Sequence, residues 1–192
     1  MVSDLVVTRV IKSLGTILWI GVVAGTLDIT ENIVFNAFRG ITPWRIFQFI
    51  ASGLIDGRSF QLGWASVGLG VVIHYAIALT WTAIFYIAAT RFNFTVLSRW
   101  TILSGLIYGI IVYVVMNFIV LPHSAVPPRP AAATLISRVN AVLALMFCIG
   151  LPVALLVKRA RKAASWNNVR PQSSASANQP SRNGTACQEA TA

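Results

Sequence analysis

Charge is scarce in this chain, and acid is the scarcest part of it: 10% of the 192 residues are charged and only five are Asp or Glu. A soluble domain carries about 25% charged residues, so a purely water-soluble fold is excluded. Cysteine is nearly absent too. Cys148 lies in an apolar run and Cys187 near the C-terminus, with no CxxC and no Cys/His cluster, which argues against a disulfide framework, zinc and iron–sulfur chemistry. The two histidines are His74 and His123. Haem held between helices wants two facing histidines at one depth, and His123 falls in a proline-rich stretch far from that of His74. No Glu-x-x-His motif offers a di-iron site. Neither G-x-S-x-G nor a phosphate- or dinucleotide-binding glycine loop is present. The sequence therefore assigns no catalytic residue and no cofactor.

What is abundant is apolar surface: 56% of residues are hydrophobic, and the mean hydropathy is +0.73. The net charge of +10 would suit nucleic acid. The bases, however, lie between apolar runs or in the tail, the pattern of membrane topology, so the partner is the lipid bilayer. Four runs are long enough to span it, at 14–38, 62–89, 100–121 and 134–157, since about 20 residues cross the hydrocarbon. These predict an all-α integral membrane four-helix bundle, residues 14–157, with a short N-terminal segment at 1–13. A cleaved signal peptide is the rival for the first run, with Ala24 and Gly25 imitating a cleavage site; against it, Ile29, Ile33, Val34 and Phe35 continue the helical pattern.

Thr42-Pro43 predicts a helix start, followed by a short helix over 43–55 with Trp44, Phe47, Ile50 and Leu54 on one face. At about 20 Å it is too short to span, so it is placed at the membrane interface with Trp44 as anchor; a buried re-entrant piece is the alternative. Asp56-Gly57 marks a turn. Between positions 122 and 130 four prolines prevent regular helix. Pro152 is expected to bend the last span. The run Lys158, Arg159, Arg161, Lys162 is expected to stop that span, and a disordered low-complexity tail follows to 192. That basic run also suits anionic lipid. Counting bases near the span ends gives eight on the N-terminal side against four (Arg39, Arg45, Arg58 and Arg129), which places both termini in the cytoplasm.

Topology turns scattered polar residues into a depth map. Asp28 sits about 21 Å along the first span, with Glu31 and Asn32 a turn further on the same face. Asn117 falls at similar depth on span three. Arg138 and Asn140 occupy the first turns of span four, and His74 lies deeper in span two. Acids inside a span are expensive and need partners or a purpose. These seven residues either satisfy one another as packing glue, an Arg138–Glu31 pair being the obvious case, or line a polar cavity that carries protons or a small polar ligand. Gly21-x-x-x-Gly25 and Gly105-x-x-x-Gly109 allow close helix approach, inside one bundle or in a homo-oligomer.

The runs GVVAGTLDIT from Gly21, FQFIASGLI from Phe47, GLGVVIHYAIA around His74, GLIYGIIVYVVMNFIVLP from Gly105 and IGLPVALL from Ile149 resemble an uncharacterised group of small four-span bacterial inner-membrane proteins of the YagU-like type. The resemblance implies an inner-membrane location and four spans, and carries over no activity. Members of that group carry a histidine early in the last span, where this chain has Arg138 and Asn140. The sequence thus leads to a structural or accessory membrane component without enzymatic activity; the alternative is a small proton-linked transporter or polar-ligand carrier.

The topology has a direct check. In intact cells an impermeant thiol reagent should label Ala125→Cys from outside and leave Cys187 in the tail unlabelled until the membrane is opened; labelling of both from one side would overturn the four-span arrangement.

Overall fold

Apolarity dictates the elements, and glycine dictates how closely they meet. The computed structural model describes residues 2–91, 99–127 and 134–177, and everything described is helix, turn or short connection. Helix α1 is Val2–Ala37, α2 Pro43–Ile55 and α3 Trp64–Arg91. Helix α4 begins as Thr101–Val115 and continues through a π-helical turn, Met116–Val120, into a 3₁₀ turn, Leu121–His123. Helix α5 likewise runs Leu135–Ala144, a π-helical stretch Leu145–Gly150, then Leu151–Ala177. Segments long and apolar enough to cross a membrane are Val10–Ala37, Trp64–Arg91, Thr101–His123 and Leu135–Trp166. Their large side chains face outward: Trp19 is 67% exposed, Val72 66% and Phe118 68%. In water such a surface would be an aggregation hazard; in lipid it is the required one. The chain is a multi-pass membrane protein.

Neighbouring helices run antiparallel. Along α1 the α3 partner falls in number as the α1 position rises: the Tyr86 hydroxyl donates to Ser13, Gly21 faces Leu79, and Gly25 faces Tyr75 and Ala78. The same holds for α4 against α5, where Gly105 meets Leu151 and Ala154, and Gly109 meets Leu145 and Met146. At Gly150 a Cβ would collide with the carbonyl oxygen of Gly105 and lie 2.8 Å from the Gly109 nitrogen. Both small-residue motifs therefore pack inside one bundle, where absent side chains bring backbones together. The core between α1, α3 and α5 is correspondingly small-grained, with Ala24, Ala89, Val153, Ala154 and Val157 almost wholly enclosed.

The two π turns share a cause. Each ends two residues before a proline, Pro122 or Pro152, which lacks an N–H and whose ring crowds the carbonyl four residues back. A wider turn ahead of the proline absorbs that mismatch, the insertion that kinks helices elsewhere. The bend expected from Pro152 thus takes the form of a π stretch upstream of it.

Helix α2 forms over the expected residues, with Thr42 extended and Pro43 at the first helical position, though the Thr42 side chain makes no capping bond. The face it turns toward the rest of the chain is not the apolar stripe. Ile46, Gln48, Ala51 and Ser52 are enclosed, whereas Trp44 is 50% and Leu54 66% exposed. Helix α2 crosses α3 closely: the Phe47 carbonyl lies where a side chain at Gly70 would stand. The return to α3 is fixed by Asp56, at φ 60, and by Gly63, at φ 57. The Asp56 carboxylate accepts from the Arg58 backbone N–H at 2.8 Å and from its Nε at 3.2 Å, and these bonds hold the exposed carboxyl below its usual pKa.

The chain divides into two units, Met1–Lys158 and Arg159–Ala192. In the second, helix runs through the basic residues to Ala177. The run Lys158–Lys162 ends the apolar stretch and not the helix, because Lys, Arg and Ala are good helix formers. The connection at 92–98, the proline-rich residues 128–133 with Arg129, and the tail from 178 with Cys187 lie outside the described residues.

Overpacking tests the glycine contacts. Gly150→Ala should destabilise the detergent-solubilised bundle by about 1–3 kcal/mol, with a lower midpoint of thermal unfolding. Gly68→Ala, with open space around it, should leave the midpoint unchanged; equal effects would refute the close approach.

Candidate functional site

Where the glycine contacts end, the bundle opens into a cavity of about 430 Å³. All five helices contribute to its wall. From α1 come Asp28 and Asn32, one turn apart; from α3 come His74 and Trp81; Asn117 arrives from the π turn of α4, and Ile149 from that of α5. Helix α2 adds Phe49, Ile50 and Leu54, and the Ala125 N–H donates to the Gly53 carbonyl at 3.0 Å, tying the segment after α4 across that side. Thus α2 forms one wall of the cavity.

The seven candidate polar residues separate into two groups. Asp28, Asn32, His74 and Asn117 line the cavity. Glu31 does not. At 100° per residue Glu31 and Asn32 diverge to opposite sides of Asp28, and the Glu31 carboxylate accepts from Asn140 Nδ2 of α5 at 2.8 Å. The expected Arg138–Glu31 pair is not formed: Arg138 is exposed, and Asn140, two residues further on and turned toward α1, takes the carboxylate. A neighbouring tie joins the same helices, with Arg39 Nη1 donating to Ser137 Oγ at 2.8 Å.

Within the cavity three polar side chains each have one atom engaged. His74 Nε2 is 2.8 Å from the Gly25 carbonyl oxygen; since a carbonyl only accepts, Nε2 carries the hydrogen. Asn117 Nδ2 donates to the Tyr113 carbonyl at 3.0 Å, and Asn32 Oδ1 accepts from Asn36 at 3.0 Å. Asp28 is the exception. Among the described residues no group hydrogen-bonds its carboxyl, and the ionisable groups that bear on it electrostatically are His74 and Glu31. A carboxylate among apolar walls has to be neutralised by a proton, a cation or water. No three of His, Cys, Asp and Glu gather into a metal-binding group among the described residues, and His123 is turned back on its own helix, Nδ1 to the Ile119 carbonyl at 2.7 Å.

Of the seven residues that the depth map grouped, four line the cavity, and the apolar wall escaped it. Trp81 reads from the sequence as packing or an interface anchor and Phe49 falls off the expected face of α2; the usable signal was the pair of prolines, each placing a widened turn at the cavity. No protein-family model, no curated protein and no solved structure matches this chain.

Proposed function

We propose that this chain is a small carrier of the bacterial inner membrane, with both termini cytoplasmic, whose cavity takes up a polar or amphiphilic ligand in exchange for a proton at Asp28. The observation that carries this reading is the unpartnered Asp28 carboxyl in a cavity of ligand size, about 430 Å³, where typical ligand pockets hold roughly 300–1,000 Å³. Ionisable residues within spans commonly mark substrate and proton paths. His74 is the second titratable group of that cavity, held by Gly25 in a fixed orientation. The YagU-like resemblance belongs to this proposal, as do anionic headgroups at Lys158, Arg159, Arg161 and Lys162 and assembly with further copies of the chain. No enzymatic step is assigned.

A second reading, a structural or accessory membrane component, is favoured by the Asn140–Glu31 and Arg39–Ser137 ties, which join α1 and the turn after it to α5. The two readings part in proteoliposomes. With a pH gradient imposed and a cell extract outside, wild-type protein should accumulate at least one extract component by mass spectrometry. Asp28→Asn should abolish that uptake, whereas Glu31→Gln should reduce the thermal midpoint and keep it. No uptake by wild type, or equal uptake by Asp28→Asn, leaves the structural reading in place.

A further inference from the structure

The charge of the cavity is one-sided in a chain where bases outnumber acids fifteen to five. Among the described residues that line it, Asp28 is the only acid and no Lys or Arg is present. The described arginines in and beside α2 are engaged elsewhere. Arg39 bonds Ser137 and lies 5.7 Å from the centre of the Phe35 ring, Arg45 stands 5.1 Å from that of Phe60, and Arg58 is paired with Asp56. An anion entering the cavity would meet a carboxylate and, among the described lining residues, no Lys or Arg to compensate it. A neutral, strongly polar molecule would meet only two amides, each with one group already bonded, Asn117 to Tyr113 and Asn32 to Asn36, among walls that are mostly aliphatic and aromatic. A cation with an apolar body meets what each part requires: the Asp28 carboxylate for its charge, and Trp81, Phe49, Ile77 and Met116 for the rest. Aromatic side chains add to this, because a weakly hydrated cation is attracted to a ring face.

We infer that the occupant of this cavity is a lipophilic monocation, an amine or quaternary ammonium carrying a compact aromatic or branched aliphatic body. The inference rests on the carrier reading and names its substrate class. It also gives the exchange a balance: one positive charge arrives as the ligand and one leaves as the proton of Asp28, so the cavity is neutral in both states. A carboxylate never stands alone in it, which removes the largest cost of placing one there. Because the charges substitute for each other, the ligand binds better as pH rises and is displaced as pH falls. Besides Asp28, the ionisable groups around that carboxyl are His74 from α3, Glu31 on α1, already bonded to Asn140, and Cys148 on α5. A proton gained by His74 would repel a cation and act in the same direction, so His74→Gln separates the two contributions.

The test uses the full-length protein in lipid nanodiscs and three probes of related shape: benzyltrimethylammonium, its neutral carbon isostere neopentylbenzene, and the anion 4-tert-butylbenzoate. Calorimetric titration, with empty nanodiscs subtracted, should give saturable binding of the cation at least tenfold tighter than of either other probe. Asp28→Asn should lose that preference and Asp28→Glu should keep it. If Asp28→Asn fails to fold, the pH arm decides in the His74→Gln protein: the affinity for the cation should fall with pH while that for neopentylbenzene stays level. Equal or tighter binding of the neutral or anionic probe, or a cation preference that survives Asp28→Asn, overturns the cation assignment and leaves the carrier reading standing with another ligand class. Saturable binding of none of the three also overturns it, and the carrier reading is then decided by the uptake assay, which depends on none of these probes.

Discussion

Helices in lipid gain little from hiding apolar surface, since the solvent is as apolar as they are, so they associate where backbones can touch. That constraint governs this bundle. Gly150 meets Gly105 and Gly109 where α5 crosses α4, Gly70 receives the Phe47 carbonyl where α2 crosses α3, and Gly21 and Gly25 admit Leu79 and Tyr75 of α3. Each contact is a point at which a side chain is missing, and together they hold the four apolar segments and α2 in register. Between these points the side chains are larger and the helices cannot close, which is why the cavity lies where it does.

Proline shapes the opening. Pro122 and Pro152 each force a wider turn upstream, and both of those turns supply wall residues, Met116 and Asn117 from one, Leu145 and Ile149 from the other. The amide of Asn117 reaches the cavity from a π turn rather than from regular helix. A packing defect, fixed in place by two residues unable to donate a backbone hydrogen bond, becomes the site at which the bundle can hold something other than itself. Asp28 then stands out for a chemical reason: its neighbours His74, Asn32 and Asn117 are all hydrogen-bonded within the protein, and its own carboxyl has no such bond among the described residues.

Much of this was legible in the chain. Long apolar runs located the four membrane segments, three of them within a few residues of their ends and the last up to its end, which lies at Trp166 and not at 157, and Thr42-Pro43 located the start of α2. Asp28, Asn32, His74 and Asn117 were identifiable only as members of a set of seven, because depth along a helix is a matter of counting and direction is not. The partner of Glu31 was not legible. Charge favoured Arg138, and geometry gave the carboxylate to Asn140. For α2, the stripe of Trp44, Phe47, Ile50 and Leu54 was legible, whereas the residues enclosed against the rest of the chain, Ile46, Gln48, Ala51 and Ser52, were not.

What the sequence alone determined is therefore one-dimensional: which segments are apolar enough for lipid, where they begin and end, and how far along each the polar residues fall. These follow from composition and from a constant rise per residue. Tertiary structure decided direction and company. Glu31 and Asn32 are adjacent in the chain, and a single step of 100° sends one to α5 and leaves the other in the cavity with Asp28. Whether that step leads into a cavity or onto a neighbour depends on which helices touch at glycine, a relation between distant segments that no local pattern encodes.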